Sequence, residues 1–439
     1  MRTFLRARAL VAVTAVTTLL VMPAPAFAAE SGAIALVDAA SDGTPGNGGV
    51  GGSDISDDGR YVAFASTSDN LVPGDTNDNT DIFVRDTETG TTTLVSAGLD
   101  GQPANDGATY TAAISGNGRY VAFTSYASNL VPGDTNNERD VFVHDRQTGS
   151  TTLVSAFAGG RQIRGSSSGA TISDDGRYTA FIVTSYSGDL DDQGLWLYGQ
   201  VAYVHDSQLG KTTRVSPQAD GGSDLTAYEV AISGSGRQVA FSGSGDWIGD
   251  GGTSTGIFVH DLTSGATVRA NLPATEGEFR NGANPSISRD GTKVSWESYE
   301  PYVPTDTNAM GDVYVRDLTA DTTVLVSASR GSAGAGNSYS TSGRLAAGGR
   351  YVSFYSSASD LAPRDGNGIA SDVFVRDLNT GRTTAVSTTA AGATGNGESF
   401  HANPSANGSR IVFSSRATDL GVDPGDGHEH LFVRCLRNC

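Results

Sequence analysis

Cysteine is nearly absent: Cys435 and Cys439 are the only two in 439 residues. That excludes a disulfide-built scaffold, and two thiols alone cannot complete a structural zinc site. Histidine is scarce, with six residues scattered along the chain. Positive charge is short as well: 29 Lys and Arg stand against 48 Asp and Glu, for a net charge of −19. A nucleic-acid partner is therefore not expected, because phosphate binding needs a basic footprint. No stretch shows helical periodicity. Beyond the N-terminal segment, no run reaches the ~20 apolar residues that span a bilayer.

The N-terminal segment itself reads as a secretory signal peptide, residues 1–28. Arg2, Arg6 and Arg8 form a basic start, Ala9 to Met22 is apolar apart from threonines, and Ala26-Phe27-Ala28 has the small-x-small form of a cleavage site. No cysteine stands near that site, so a lipid anchor is not expected. Removing the three arginines takes the net charge from −19 to −22. The expectation is an exported, extracellular protein occupying residues 29–439. Export permits a Cys435–Cys439 bridge, which would pin the tail rather than hold the fold.

What the chain does have is one unit repeated seven times. Its first block is I-S-D-D-G-R-Y-V-A-F at Ile55–Phe64 and I-S-G-N-G-R-Y-V-A-F at Ile114–Phe123. A second block follows, D-I-F-V-R-D at Asp81–Asp86 and D-V-F-V-H-D at Asp140–Asp145. The third is T-T-L-V-S at Thr92–Ser96 and Thr151–Ser155. The turn glycines are Gly59, Gly118, Gly176, Gly236, Gly291, Gly349 and Gly408, spaced 59, 58, 60, 55, 58 and 59 residues apart. Asp-Gly and Asn-Gly between apolar runs signal tight hairpins, whose turns need positive φ. A second turn follows the next strand, as in Asp86-Thr87-Glu88-Thr89-Gly90. Each unit thus predicts four short antiparallel strands. One such sheet cannot bury both faces, and stacking like sheets in a ring solves that. The all-β fold expected is a seven-bladed β-propeller. The last unit lacks its fourth strand, and the orphan Ala33–Asp38 segment is expected to supply it, closing the ring.

The repeat resembles that of the TolB-like propellers, through S-x-D-G-R-Y-V-A-F and the extended form N-L-V-P-G-D-T-N…D-V-F-V-R-D…T-G-T-T-L-V-S. The resemblance covers essentially the whole mature chain. It implies a propeller, and for function it implies either protein interaction, as in TolB, or an accessory role beside a peptidase domain. This chain has no room for a hydrolase domain and lacks TolB's additional N-terminal domain.

Long, variable segments should share one rim and the tight hairpins the other, with function on the long loops. Three of these loops repeat D-x-N-x-x-x-D: Asp75, Asn77 and Asp81; Asp134, Asn136 and Asp140; Asp306, Asn308 and Asp312. Oxygen donors at alternate positions are how a short loop wraps Ca²⁺. The same side chains also form local turns and caps. Units three and four break the pattern. There Trp196, Tyr198 and Trp247 could make an aromatic platform for a sugar ring or a protein partner. Trp296 replaces a core Phe. His144, His205 and His260 occupy the position of Arg85, Arg316 and Arg376, which makes them scaffold substitutions. His428 and His430 flank Glu429 in a variable loop, a conceivable metal pair.

Enzyme signatures are weak. Gly165-Ser166-Ser167-Ser168-Gly169 has the letters of a nucleophile elbow but no following helix. The six histidines match poorly with metal-dependent propeller lyases. The reading is a secreted, non-enzymatic propeller that binds a protein partner as a scaffold through its variable rim. Carbohydrate or cell-wall binding is the alternative, and a metal-dependent glycan-processing enzyme the third.

Overall fold

The computed structural model describes residues 31–216, 226–245, 255–272, 281–422, 424–437 and 439. Residues 1–28, read from the sequence as a signal peptide, and Trp247 lie outside them. Seven four-stranded antiparallel sheets form a β-propeller. Blade 1 runs Val50–Ile55, Tyr61–Ser66, Asp81–Asp86 and Thr91–Leu94. The inner strands of blades 2 to 7 are Ala108–Ile114, Ser166–Ile172, Thr226–Ile232, Ala283–Ile287, Ser340–Leu345 and Ser399–Pro404. These extend well beyond the Ile-Ser start visible in the sequence. A small extra hairpin, Ala156–Phe157 with Arg161–Gln162, decorates the crossing out of blade 2.

All seven turn glycines take the left-handed conformation, with φ from 62° at Gly408 to 77° at Gly176. They are needed for a second reason. A Cβ on Gly118, Gly176 or Gly236 would collide with the ring of Tyr61, Tyr120 or Tyr178 of the preceding blade. The turn of each blade is thus roofed by its neighbour.

Strand alternation sends large and small residues to opposite faces. Val62 and Phe64 pack with Val412, Leu431 and Val433 of blade 7. Ala63 and Ala65 face blade 2, where Val121 and Phe123 fill the space they leave. The pattern recurs in seven inter-blade cores. Every blade pairs two rings across its second and third strands, such as Phe123 with Phe142 at 5.8 Å between centroids. Trp296 takes that place in blade 5, fully buried and 5.8 Å from Tyr314.

The ring closes as expected. Ile34–Leu36 pairs antiparallel with His430–Cys435 and completes blade 7. In four other blades the third strand opens with an Asp that accepts a hydrogen bond from a fourth-strand Ser: Asp81 from Ser96 and Asp140 from Ser155 at 2.5 Å, Asp312 from Ser327 at 2.5 Å and Asp372 from Ser387 at 2.7 Å. In blade 7 the acid changes strands. Asp38 stands in the serine's place and bonds His430 Nδ1 at 2.8 Å, while Asp426 holds Nε2 at 3.0 Å. Asp38 also accepts the Leu431 N–H at 2.8 Å, as Ser96 accepts that of Ile82 at 3.0 Å. So the one blade built from both chain ends carries a carboxylate–imidazole pair where five others carry a serine hydroxyl and blade 4 the Asn271 amide. Cys435 occupies the position of Asp86 and is bridged to Cys439.

Seven backbone hydrogen bonds link the hairpin rim into a closed circle. They run from Asp57 N to Gly116 O, Asn117 N to Asp174 O, Asp174 N to Gly234 O, Ser235 N to Arg289 O, Arg289 N to Ala347 O, Gly348 N to Ala406 O and Ala406 N to Asp57 O.

Glycine substitutions separate the two roles of the turns. Gly149→Ala has open space around it and should lose only the left-handed penalty, roughly 1–2 kcal/mol. Gly176→Ala meets the same penalty plus a collision with Tyr120. Urea unfolding should therefore rank Gly176→Ala as clearly the more destabilised of the two.

Candidate functional site

The two rims differ in chemistry. On the hairpin rim, six blades join a basic residue after the turn glycine to the Asp that ends the third strand. The pairs are Arg60–Asp86, Arg119–Asp145, Arg177–Asp206, Arg237–Asp261, Lys293–Asp317 and Arg350–Asp377, at 2.6 to 3.1 Å. Each Asp also accepts a backbone N–H of its turn, as Asp86 does from Glu88 at 2.9 Å. The Arg350 guanidinium holds Asp377 down at about 2. Arg60, Arg119, Arg177 and Arg350 lie over the following Tyr ring at 4.7 to 4.9 Å. This rim is spent on its own structure.

The opposite rim carries the long loops and all eight exposed aromatic side chains of the described residues. Tyr110 and Tyr228 lie at the outer starts of two inner strands. Tyr126, Tyr186 and Tyr299 directly follow second strands, and Tyr339 precedes the inner strand of blade 6. Trp196 and Tyr198 stand in the blade 3 loop, each 58% exposed. Tyr186 meets Tyr198 edge-on, 5.3 Å apart at 84°. Tyr186 and Tyr198 therefore meet as a ridge beside the exposed Trp196. The nearby carboxylates are occupied: Asp192 by Arg161 at 2.9 Å and by the Ala158 N–H at 2.6 Å, Asp189 by Arg164 at 3.6 Å.

The Asp-x-Asn loops lie on this rim too, and three of them share a left-handed residue: Asp78, Asn137 and Ala309. Each Asn turns its carbonyl oxygen to a backbone N–H two residues on: Asn77 to Asn79 at 2.9 Å, Asn136 to Glu138 at 3.0 Å, Asn308 to Met310 at 2.8 Å. Their amide groups donate as well. Asn77 reaches Asp81 at 2.8 Å and Ala104 O at 3.1 Å, and Asn308 reaches Gly336 O at 2.7 Å. Asp134 accepts from Gln162 at 2.9 Å, and Asp306 accepts from the Tyr314 hydroxyl. The loops thus clamp the third strand of one blade to the crossing that follows it. Burial pushes Asp75 and Asp140 up to about 6 and Asp312 and Asp372 up to about 7. Among the described residues, no three His, Cys, Asp or Glu side chains converge as a metal site.

The histidines have structural partners. His144, His205 and His260 bond Thr151, Thr212 and Thr267 at 3.1, 3.0 and 2.9 Å. Arg85, Arg316 and Arg376 make the same contact to Thr92, Thr323 and Thr383. Burial opposes charge on His430, but Asp38 and Asp426 outweigh it and lift the imidazole to about 9. Ser167, in the inner strand of blade 3, has a buried hydroxyl with no hydrogen-bond partner, so no Ser–His pair forms there.

With this geometry in view, comparison with known proteins defines the class. No protein-family model and no curated protein matches the chain. Solved propellers do. An oligogalacturonate lyase from Vibrio parahaemolyticus is 13% identical with a TM-score of 0.54, over 93% of this chain and 99% of that one. The propeller domain of the Trilobed protease from Pyrococcus furiosus is 10% identical with a TM-score of 0.53, over 88% and 95%. TolB from Acinetobacter baumannii is 15% identical with a TM-score of 0.41, over 78% of this chain, which spans 64% of that protein. These likenesses are of fold. They include a lyase and the propeller domain of a protease, and fold alone does not choose a function for this chain.

The raised carboxyls set a pH dependence. Each folded carboxyl keeps a proton that the unfolded one, near 4, has already shed. Their contribution to stability therefore falls as pH rises from about 4 through about 7. His430 adds a fall from about 6.5 to 9, because its raised value favours the folded state only while the imidazole is charged. Urea unfolding should show greater stability at pH 5 than at pH 8. Asp312→Asn with Asp372→Asn should flatten the lower part of that slope.

Proposed function

We propose that the protein is an exported binding module that holds a protein partner on its long-loop rim. The observation behind this reading is the confinement of every exposed aromatic of the described residues to that one rim. Tyrosine and tryptophan supply large contact area with a polar tip and are enriched where proteins meet. The hairpin rim, tied up in ion pairs and stacked rings, offers no such anchors. The Tyr186–Tyr198 ridge suits insertion between partner side chains better than stacking on a sugar face. The arginine-bound Asp189 and Asp192 are poorly placed to meet sugar hydroxyls. Carbohydrate binding through Trp196 and Tyr198 is the second reading, since both remain more than half exposed. A glycan-processing enzyme is the third.

Calcium at the Asp-x-Asn loops is a separate proposal, supported by their alternating oxygen donors. A bound ion would have to replace the hydrogen bonds that Asn77 and Asn308 now make. A melt in EDTA and then in added Ca²⁺ tests it, with stabilisation of about 2.7 kcal/mol expected at 100 times Kd for one site.

A photo-crosslinking residue at position 198 should form discrete protein adducts in the extracellular fluid of the source cells. The same residue at position 209, exposed on the hairpin rim, should not. Equal labelling at both positions would refute the rim assignment. Retardation in polysaccharide gels that is lost in Trp196→Ala would replace the protein partner with a glycan. Turnover of a glycan by the purified protein would replace both.

A further inference from the structure

The seven inner strands enclose a cavity of about 670 Å³, within the size range of small-molecule sites. An ion-pair bridge crosses it at the hairpin rim. Arg289 of blade 5 reaches across to pair with both Asp57 of blade 1 and Asp174 of blade 3. Between them, Gly116 and Gly234 leave the room this floor requires, because a Cβ at either would collide with one of those carboxylates. Towards the long-loop rim the cavity is lined by Tyr110 and Tyr228.

Two arginines line it. Arg289 is neutralised in the floor. Arg344 is not: it makes no ion pair among the described residues, and its one hydrogen bond is a long contact of 3.5 Å to Pro285 O. The carboxyl that faces it is Asp54. Both Asp54 oxygens are already engaged by backbone N–H groups, of Ile55 and Ile114, at 2.9 Å each. His401 also lines the cavity, with its Nδ1 3.4 Å from the Ser414 hydroxyl. Its φ of 52° is that of the inner-strand bulge, shared by Asn284 and Ser342 at 53° in blades 5 and 6. Burial pushes the His401 imidazole down, which leaves it neutral and able to donate or accept.

A guanidinium that lines the cavity with no carboxylate at ion-pair distance among the described residues, its neighbour Asp54 being held by backbone N–H groups, and a neutral imidazole near it are the complement of an anion. We propose that the central cavity is a binding site for a small organic carboxylate, held by Arg344 with His401 beside it. A planar guanidinium matches a carboxylate with two parallel hydrogen bonds. Glu229, the other acid in the wall, is occupied by the Ser242 hydroxyl at 2.8 Å and the Asn284 N–H at 2.6 Å, so it does not compete for Arg344. This site lies inside the ring and is independent of the partner reading for the rim.

Isothermal titration with acetate, succinate, citrate, inorganic phosphate and a tripeptide with free or amidated C-terminus tests the proposal. At least one free carboxylate should bind with Kd tighter than about 1 mM. Arg344→Gln should weaken that binding about tenfold or more through loss of the charge-assisted pair. Leu209→Ser, exposed on the hairpin rim, should leave it unchanged. Binding of the free but not the amidated peptide, without the small acids, would make the ligand a chain terminus and overturn the small-molecule assignment. Phosphate bound in preference to every carboxylate would overturn the ligand class. Unchanged affinity in Arg344→Gln, or no binding by the whole series, would overturn the site. Should Arg344→Gln fail to fold, Arg344→Lys keeps the charge but loses the planar fork. It must still weaken binding.

Discussion

A four-stranded sheet has two apolar faces and, alone, nothing to cover either. Everything else in this protein follows from that constraint. The faces are unequal: Val62 and Phe64 are large on one side, Ala63 and Ala65 small on the other. A large face fits a small face, so each blade can complete a core only with a neighbour of the same design. Such a stack must either expose its two ends or bend into a ring. Seven cores for seven blades show that the ring is complete.

Closure is also where the chain is least protected. Elsewhere a covalent hairpin joins the third strand of a blade to the fourth, whereas in blade 7 two chain ends must find each other. The substitution of Asp38 and His430 for the usual Ser and Asp strengthens the junction with charge where connectivity gives none. The Cys435–Cys439 bridge replaces the Arg–Asp pair of the other blades at the same place. The repeat is broken at these positions because the seventh blade has a different mechanical problem.

A ring of this kind separates its two rims by chemistry. Tight hairpins use their charged and aromatic residues to brace neighbouring blades. The opposite rim has loops long enough to carry side chains that the scaffold does not need. The central cavity is crossed at the hairpin rim by the Arg289 ion pairs and lined towards the long-loop rim by Tyr110 and Tyr228.

The repeat, the turn glycines, the strand count and the donation of the first strand to the last blade were all legible in the sequence. They are properties of spacing and of residue types with restricted backbone preferences, and the unit that carries them repeats seven times. The scaffold roles of His144, His205, His260 and Trp296 were legible for the same reason. The site was much less so. Trp196 and Tyr198 stood out because they interrupt the repeat. Tyr110, Tyr126, Tyr186, Tyr228, Tyr299 and Tyr339 did not, since a tyrosine near a strand end reads equally as core or surface until the rims are built. The Asp-x-Asn motif named its residues, but only the folded loops show their amides and carboxyls bonded to strands and crossings tens of residues away. Arg344, Asp54, Asp57, Asp174 and Arg289 come from four blades and meet only around the axis. Local spacing determines which elements form and how many. Contacts between residues hundreds of positions apart exist only once the ring has closed, and these decide what faces the cavity, what braces the floor and what is left free to bind.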